Sequence, residues 1–381
     1  MKHFKFGVIF FLSLFFSLES LSQDTLKKES TARKIITKIF VDTVTSTSTH
    51  GYIINPLFYY TPETRFAFGI STVFYFRMSK KDSAYRPSVV HPFFGVTQNK
   101  QVFVESPFQL FFQQEKYYLY GEVSAYDYPY FFFGVGNGIP HSYNEIYTAL
   151  YPSCTLSVLK KVAPPLYAGF RMQVDDYNIV KKETGGMLDQ NLVQGSNGGL
   201  NAGIGPMLLY DTRNNIFSPT KGAYVELATW LNSKYTFSDY TYGSYVLDAR
   251  KYVPWHKNDM FGFQFYGNLM TGNPPFYQMA MLGGTKRMRG YYEGRYRDKD
   301  YLSAQAEYRS GFWRNRLGYA VFAGTGFVFH DFKNIDLMYL KPSAGAGLRI
   351  RFDRKEKINF RIDFAFGYKT FYPYFVLSEA F

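Results

Sequence analysis

The chain has 381 residues, among them 40 Phe and 35 Tyr, and a formal charge of +13. Aromatics at 20% combined with a mean hydropathy of only −0.23 sit badly with a soluble domain, which would need a very large core to hide them. They suit a wall with lipid outside and water inside, where every second residue is apolar. The lone Cys154 excludes an internal disulfide. The cations are spread over loops and strand ends without a recognition motif, which argues against nucleic acid as a partner.

Residues 1–22 read as a secretory leader: Lys2 and Lys5, an apolar stretch from Phe6 to Phe16, then Ser20 and Ser22 before a cut ahead of Gln23. The apolar stretch is too short to span a bilayer, and no later run of 18 or more apolar residues offers a transmembrane helix. Residues 23–49 form a short polar tail, expected to be periplasmic. Residues 50–381 are expected to form one β-barrel.

From His50 onward the dominant period is two. In 65–78, Phe66, Phe68, Ile70, Phe74 and Phe76 share one face, opposite Ala67, Gly69, Ser71, Val73, Tyr75 and Arg77. In 343–353, Ala344, Ala346, Leu348, Ile350 and Phe352 oppose Gly345, Gly347, Arg349, Arg351 and Asp353. In 357–369, Ile358, Phe360, Ile362, Phe364, Phe366 and Tyr368 oppose Asn359, Arg361, Asp363, Ala365, Gly367 and Lys369. The pattern predicts strands at 51–60, 65–78, 86–99, 101–113, 116–127, 145–162, 165–179, 199–212, 222–234, 238–251, 259–271, 301–312, 316–329, 341–352, 357–369 and 372–381. That is about sixteen, an even number, with short turns alternating with longer loops as in an antiparallel transmembrane barrel. A soluble sandwich or lipocalin-like barrel would point its apolar face inward instead. Strand length, the aromatic excess and the terminal Phe381 favour the membrane form.

Four stretches carry a more specific signal. "LLYDTRNNIFSPTKGAYVELA" (208–228) holds Asp211, Thr212 and Arg213, then Pro219, Thr220 and Gly222. "LGGTKRMRGYYEGRYRDKDYLSAQAEYR" (282–309) holds Gly283 and Gly284, then Arg289, Gly290 and Tyr291, then a strand bearing Glu307. "INPLFYYTPETRFAFG" (54–69) and "FRIDFAFGYKTFYPYFVLSEAF" (360–381) open and close the barrel. Together they resemble the BamA/TamA-type outer membrane protein assembly factor superfamily, also called the bacterial surface antigen family, over essentially 50–381.

The resemblance implies a long external loop folded back into the lumen, with Arg289 paired to acidic wall residues. A guanidinium fork suits a carboxylate in a confined space. Glu307 shares the polar face with Ser303, Gln305 and Arg309, so it is the expected partner. The family's second acid, in an Asp-x-Gly of the next strand, is replaced here by Gly324 in "FAGTGF", so that charge must come from elsewhere, for instance Asp363. Asp211 and Arg213 are read as capping the turn before Pro219. Phe381 matches the family's aromatic terminal signal, although Glu379 departs from its apolar pattern.

The family also implies insertion or translocation of outer-membrane proteins through a seam, here between 51–60 and 372–381, with Pro56 and Pro373 each removing a ladder donor. Expected partners are outer-membrane lipids, client outer-membrane proteins and separate periplasmic or lipoprotein subunits. Members that assemble proteins carry periplasmic repeat domains, where only residues 23–49 stand here. The alternative is a passive channel or structural barrel without assembly activity. A catalytic reading finds no support: in "QGSNGG", Gln194 occupies the place of the base for Ser196. His50, His91, His141, His256 and His330 lack metal-ligand spacing. Neither enzyme activity nor a cofactor or metal is expected.

Overall fold

A computed structural model describes residues 50–61, 65–78, 85–256, 258–353 and 357–381. The expected leader and polar tail, 1–22 and 23–49, lie outside the described residues.

The strands follow in chain order as β1 (His50–Thr61), β2 (Arg65–Phe76), β3 (Ser88–Val90), β4 (Phe93–Thr97), β5 (Val102–Phe112), β6 (Tyr117–Phe132), β7 (Glu145–Ala163), β8 (Leu166–Lys181), β9 (Gly198–Asp211) and β10 (Gly222–Asn232). Then come β11 (Tyr242–Trp255), β12 (Asp259–Gly272), β13 (Ala280–Leu282), β14 (Tyr296–Asp298), β15 (Asp300–Arg309), β16 (Leu317–Phe329), β17 (Lys341–Asp353), β18 (Ile358–Gly367) and β19 (Thr370–Leu377). Every wall strand pairs antiparallel with its neighbour in sequence, so the chain forms an all-β transmembrane barrel. β13 and β14 pair only with each other, within the long loop.

Several expected boundaries shift. The strand expected at 86–99 is broken at His91–Pro92, where proline cannot donate to the ladder, and both halves bridge β2 and β5. The strand expected at 116–127 runs on to Phe132, and that expected at 238–251 starts later and ends at Trp255. The hairpin of β13 and β14 has strands of three residues, too short to leave a period in the sequence. The connections at the loop's end of the barrel are not uniformly long: 98–101, between β4 and β5, and 368–369, between β18 and β19, are tight turns.

The apolar face looks outward. Phe68 and Ile70 on β2 are 51% and 57% exposed, while Ala67, Val73 and Tyr75 between them are buried. On β18, Asn359, Arg361, Asp363 and Ala365 are fully buried, so its polar face points inward. Ile358 is an exception. A bulge between Arg351 and Asp353 shifts its register, and it packs with Val73, Tyr75 and Val89 instead of facing lipid.

The final strand ends at Leu377 rather than 381. Ser378 adopts φ 138, a conformation that takes the chain off the ladder, and Glu379, Ala380 and Phe381 turn inward and are buried.

Candidate functional site: an ion-pair lattice beneath the luminal loop

The loop 273–299 folds back against the wall because it carries apolar side chains that a solvated loop would leave in water. Ala280, Leu282, Met288, Tyr291 and Tyr296 form a core with Tyr266, Tyr301 and Val328 of the wall. Gly283 sits at φ 117, which an L side chain rarely adopts. Gly290, at φ 106, passes so close to β18 that a Cβ would stand 2.7 Å from the Phe366 carbonyl carbon. Gly284 also has positive φ.

These turns deliver Arg289 to the wall, where it is 0% exposed. Its Nη1 donates to Asp363 Oδ2 at 2.8 Å and its Nη2 to Glu307. Its guanidinium also lies 3.5 Å from the centroid of the Phe322 ring. The acids are shared. Glu307 also accepts from Arg309 and pairs with Arg349 at 3.5 Å. Asp363 accepts from Arg349 and Arg361, both at 2.6 Å. Glu379 accepts from Arg349 Nε at 2.8 Å and from Asn359 at 2.7 Å, and lies 3.6 Å from Arg309. Four guanidinium groups thus face three carboxylates in a dry space, where shared, charge-assisted hydrogen bonds can offset the cost of desolvation. Arg361 also donates to the Thr285 carbonyl at 2.6 Å, tying β18 to the loop.

Gly290 and Tyr291 carry the lattice to the last strand. The Gly290 N–H donates to Tyr374 Oη at 2.8 Å, and the Gly290 carbonyl accepts from Thr370 Oγ1 at 2.6 Å. Tyr291 Oη donates to the Pro342 carbonyl at 2.6 Å and accepts from the Tyr368 N–H at 2.7 Å. The Arg-Gly-Tyr tripeptide therefore grips wall strands from β15 to β19.

A second anchor, on the far wall, left no recognised motif in the sequence. Phe276 packs edge-on against Phe132 and Tyr147, with centroids at 5.0 and 5.3 Å. Tyr277 stacks on Tyr177 at 4.0 Å, and Tyr177 stacks on Tyr151 at 4.1 Å. Gln278 donates to Asp175 at 2.9 Å. Arg297 and Arg295 are buried against aromatic rings, whereas Lys286 is exposed. Only the aromatics at alternate positions in "YDYPYFF" and at every fourth position in "YNEIYTALY" hinted at this dock.

The turn residues hold the mouth of the barrel at the end where the 212–221 turn lies. Arg213 forks onto Asp211 through Nε and Nη2, both at 2.9 Å, and Arg86 reaches Asp211 at 2.6 Å. Thr212 Oγ1 accepts from the Ala223 N–H at 2.9 Å, Thr220 bonds Asn214, and Gly222 takes φ 110. Pro219 is buried beside Ser218, whose hydroxyl accepts from Asn359 at 3.1 Å. Ile216 and Phe217 pack on the cluster of Val73, Tyr75, Val89 and Ile358, so this turn lies across the mouth. Pro56 pairs in register with Ile70, and Pro373 with Phe364. Phe381, expected at the seam, lies inside instead. It packs with Tyr252 and Met260, and its main-chain oxygen accepts from Arg309 at 2.7 Å. Glu379 explains the departure: its charge belongs to the lattice, and binding there draws the end of the chain off the wall.

An antiparallel transmembrane barrel with a luminal arginine loop defines a class of outer-membrane assembly and secretion barrels. The chain belongs to the Omp85 superfamily, whose domain model matches residues 64–381. Its fold is similar to that of BamA from Haemophilus ducreyi lacking POTRA domains 1-3, with 14% identity and a TM-score of 0.54, covering 86% of this chain and 70% of that one. CdiB from Acinetobacter baumannii aligns at 10% identity and a TM-score of 0.54, covering 85% of this chain and 57% of that one. CdiB from Escherichia coli aligns at 8% identity and a TM-score of 0.53, covering 87% and 62%. No curated protein matches the sequence.

Proposed function

We propose that this protein resides in the outer membrane and assists the insertion or translocation of other outer-membrane proteins through the seam between β1 and β19. The observation that carries this reading is the pairing of the two edge strands. Among the described residues, β1 is laddered only to β2, and β19 only to β18. In lipid, unpaired N–H and C=O groups are costly, so such an edge attracts a client strand. Pro56 and Pro373 each lower the number of donors along it. β19 has 8 residues, and besides its ladder to β18 it is tied to the loop through Tyr374 and Thr370. Release of Arg289 from Glu307 and Asp363 would loosen that grip, which makes the lattice a latch on the seam. Clients and accessory subunits would be supplied in trans. The reading includes no catalytic step: the Ser196 hydroxyl donates to the Val193 carbonyl at 2.5 Å.

Photo-crosslinkers placed at Ile54 on β1 and Phe375 on β19, both exposed outward, test it. Adducts with other outer-membrane barrels, together with a fall in their abundance on depletion of this protein, are expected. Absence of adducts with unchanged outer-membrane content would leave the passive-barrel alternative.

A further inference from the structure

We propose that the outer wall between β10 and β16 carries a binding groove for one phospholipid with an anionic headgroup, its phosphate region held by Lys251. The proposal rests on the wall facing lipid and is independent of the seam.

A surface groove of ≈ 790 Å³ lies here, within the size range of small-molecule sites. Two adjacent cross-strand rows build it. One runs Ala249, Phe265, Ala304 and Thr325; the next runs Lys251, Phe263, Ala306 and Ala323. Phe263 and Phe265 are 45% and 44% exposed and stand as a ridge, with alanines falling away on β11 and on β15–β16. Elsewhere the same face carries bulky side chains, such as Phe66, Phe68 and Ile70 on β2.

The alanines alone would mark only a thin patch. Lys251 points to the occupant. It is exposed on the lipid-facing side of β11, between Ala223 and Phe263, and has no ion-pair or hydrogen-bond partner among the described residues. A lysine on a lipid-facing strand is tolerated near the interface and costly deeper in. Lys251 lies four residues inward from Trp255, which is 51% exposed, as an interfacial aromatic is. From there a flexible lysine stem can carry its ammonium toward the periplasmic headgroup layer while its methylenes stay in hydrocarbon. A lipid phosphate at that level would neutralise it, with an acyl chain running up the groove over Ala304, Ala306 and Ala323.

The test uses the full chain in detergent micelles, titrated with phosphatidylglycerol or with phosphatidylcholine of the same acyl chains. Bound lipid is read by native mass spectrometry, and stability by the midpoint of the heat-induced gel shift. Phosphatidylglycerol is expected to bind preferentially, and Lys251→Gln to lose about fivefold of that preference, the size expected for one lysine at an anionic lipid surface. Lys251→Arg should retain it. Ala304→Phe, which fills the groove, should lower binding of both lipids while the folded gel band persists. Equal binding of the two lipids by the parent chain, an unchanged preference in Lys251→Gln, or the same stabilisation by inorganic phosphate would overturn the proposal. A chain soluble without detergent would instead overturn the membrane reading on which it rests.

Discussion

On one side of the barrel β6, β7 and β8 run for 16, 19 and 16 residues. On the other, β18 and β19 have 10 and 8, and the tight turn 368–369 joins them. The loop 273–299 is anchored to both sides by different physics. On the tall side Phe276 and Tyr277 enter an aromatic stack, where contact area is large, the Arg297 guanidinium lies over ring faces and geometry is forgiving. On the short side Arg289 enters a lattice of buried charges, where each group depends on its neighbours and removal of one leaves the rest exposed to the low dielectric. The far wall is therefore a fixed post and the seam side a latch. Aromatic packing resists change gradually, whereas a buried charge network is either complete or costly.

The largest effect is expected at Arg289. Arg289→Ala leaves Glu307 and Asp363 without their bridge and is expected to cost about 3–5 kcal/mol, read as a lowered heat-shift midpoint. Arg289→Lys should recover only part, because a point charge cannot fork onto two acids. Phe276→Ala on the far wall should cost about 3 kcal/mol by opening a cavity, without raising crosslinking at Ile54 or Phe375. If both variants released the seam equally, the distinction between post and latch would fail.

Tyr374→Phe is a finer probe. It removes the hydroxyl that accepts from the Gly290 N–H, at about 1 kcal/mol, and should raise seam crosslinking more than its small effect on stability suggests. The smallest effect is expected at the turn between β5 and β6, which holds Glu115. Burial opposes the charge on Glu115, but the adjacent Arg86 outweighs it and holds the carboxyl below its ordinary value of 4.5. A lowered carboxyl stabilises the fold above that ordinary value, and the contribution fades as pH falls through the folded value. Glu115→Gln should therefore lower stability slightly at neutral pH, flatten the acid side of the profile below about pH 4.5 and leave strongly acidic pH nearly unchanged.

Much of this was legible residue by residue. Phe66, Phe68 and Ile70 against Ala67, Gly69 and Ser71 identify a strand and its two faces. The same alternation puts Glu307, Arg309, Arg349, Arg361 and Asp363 on inward faces. What alternation could not tell is which of these meet. Glu307 and Asp363 lie on β15 and β18, with two strands between them, and only the curvature of the wall turns both toward one arginine. Phe381 departs from the expected seam position for a related reason. Its strand pattern continues to the last residue, yet the Arg349–Glu379 pair outweighs one more turn of ladder at an edge with no second neighbour.

By itself, then, the sequence determined the wall, its inside and outside, and the presence of a cationic loop with an Arg-Gly-Tyr tripeptide. Each of these is a local property, set by a period of two or by glycines that permit a backbone turn. Tertiary structure alone decided that Asp363 supplies the second acid, that Glu379 draws the chain end inward, and that Tyr277 docks on Tyr177 across the lumen. Those contacts join residues from 30 to 100 positions apart. Closing a loop of that length costs about as much for one partner as for another, so the choice falls to packing and charge inside the finished barrel.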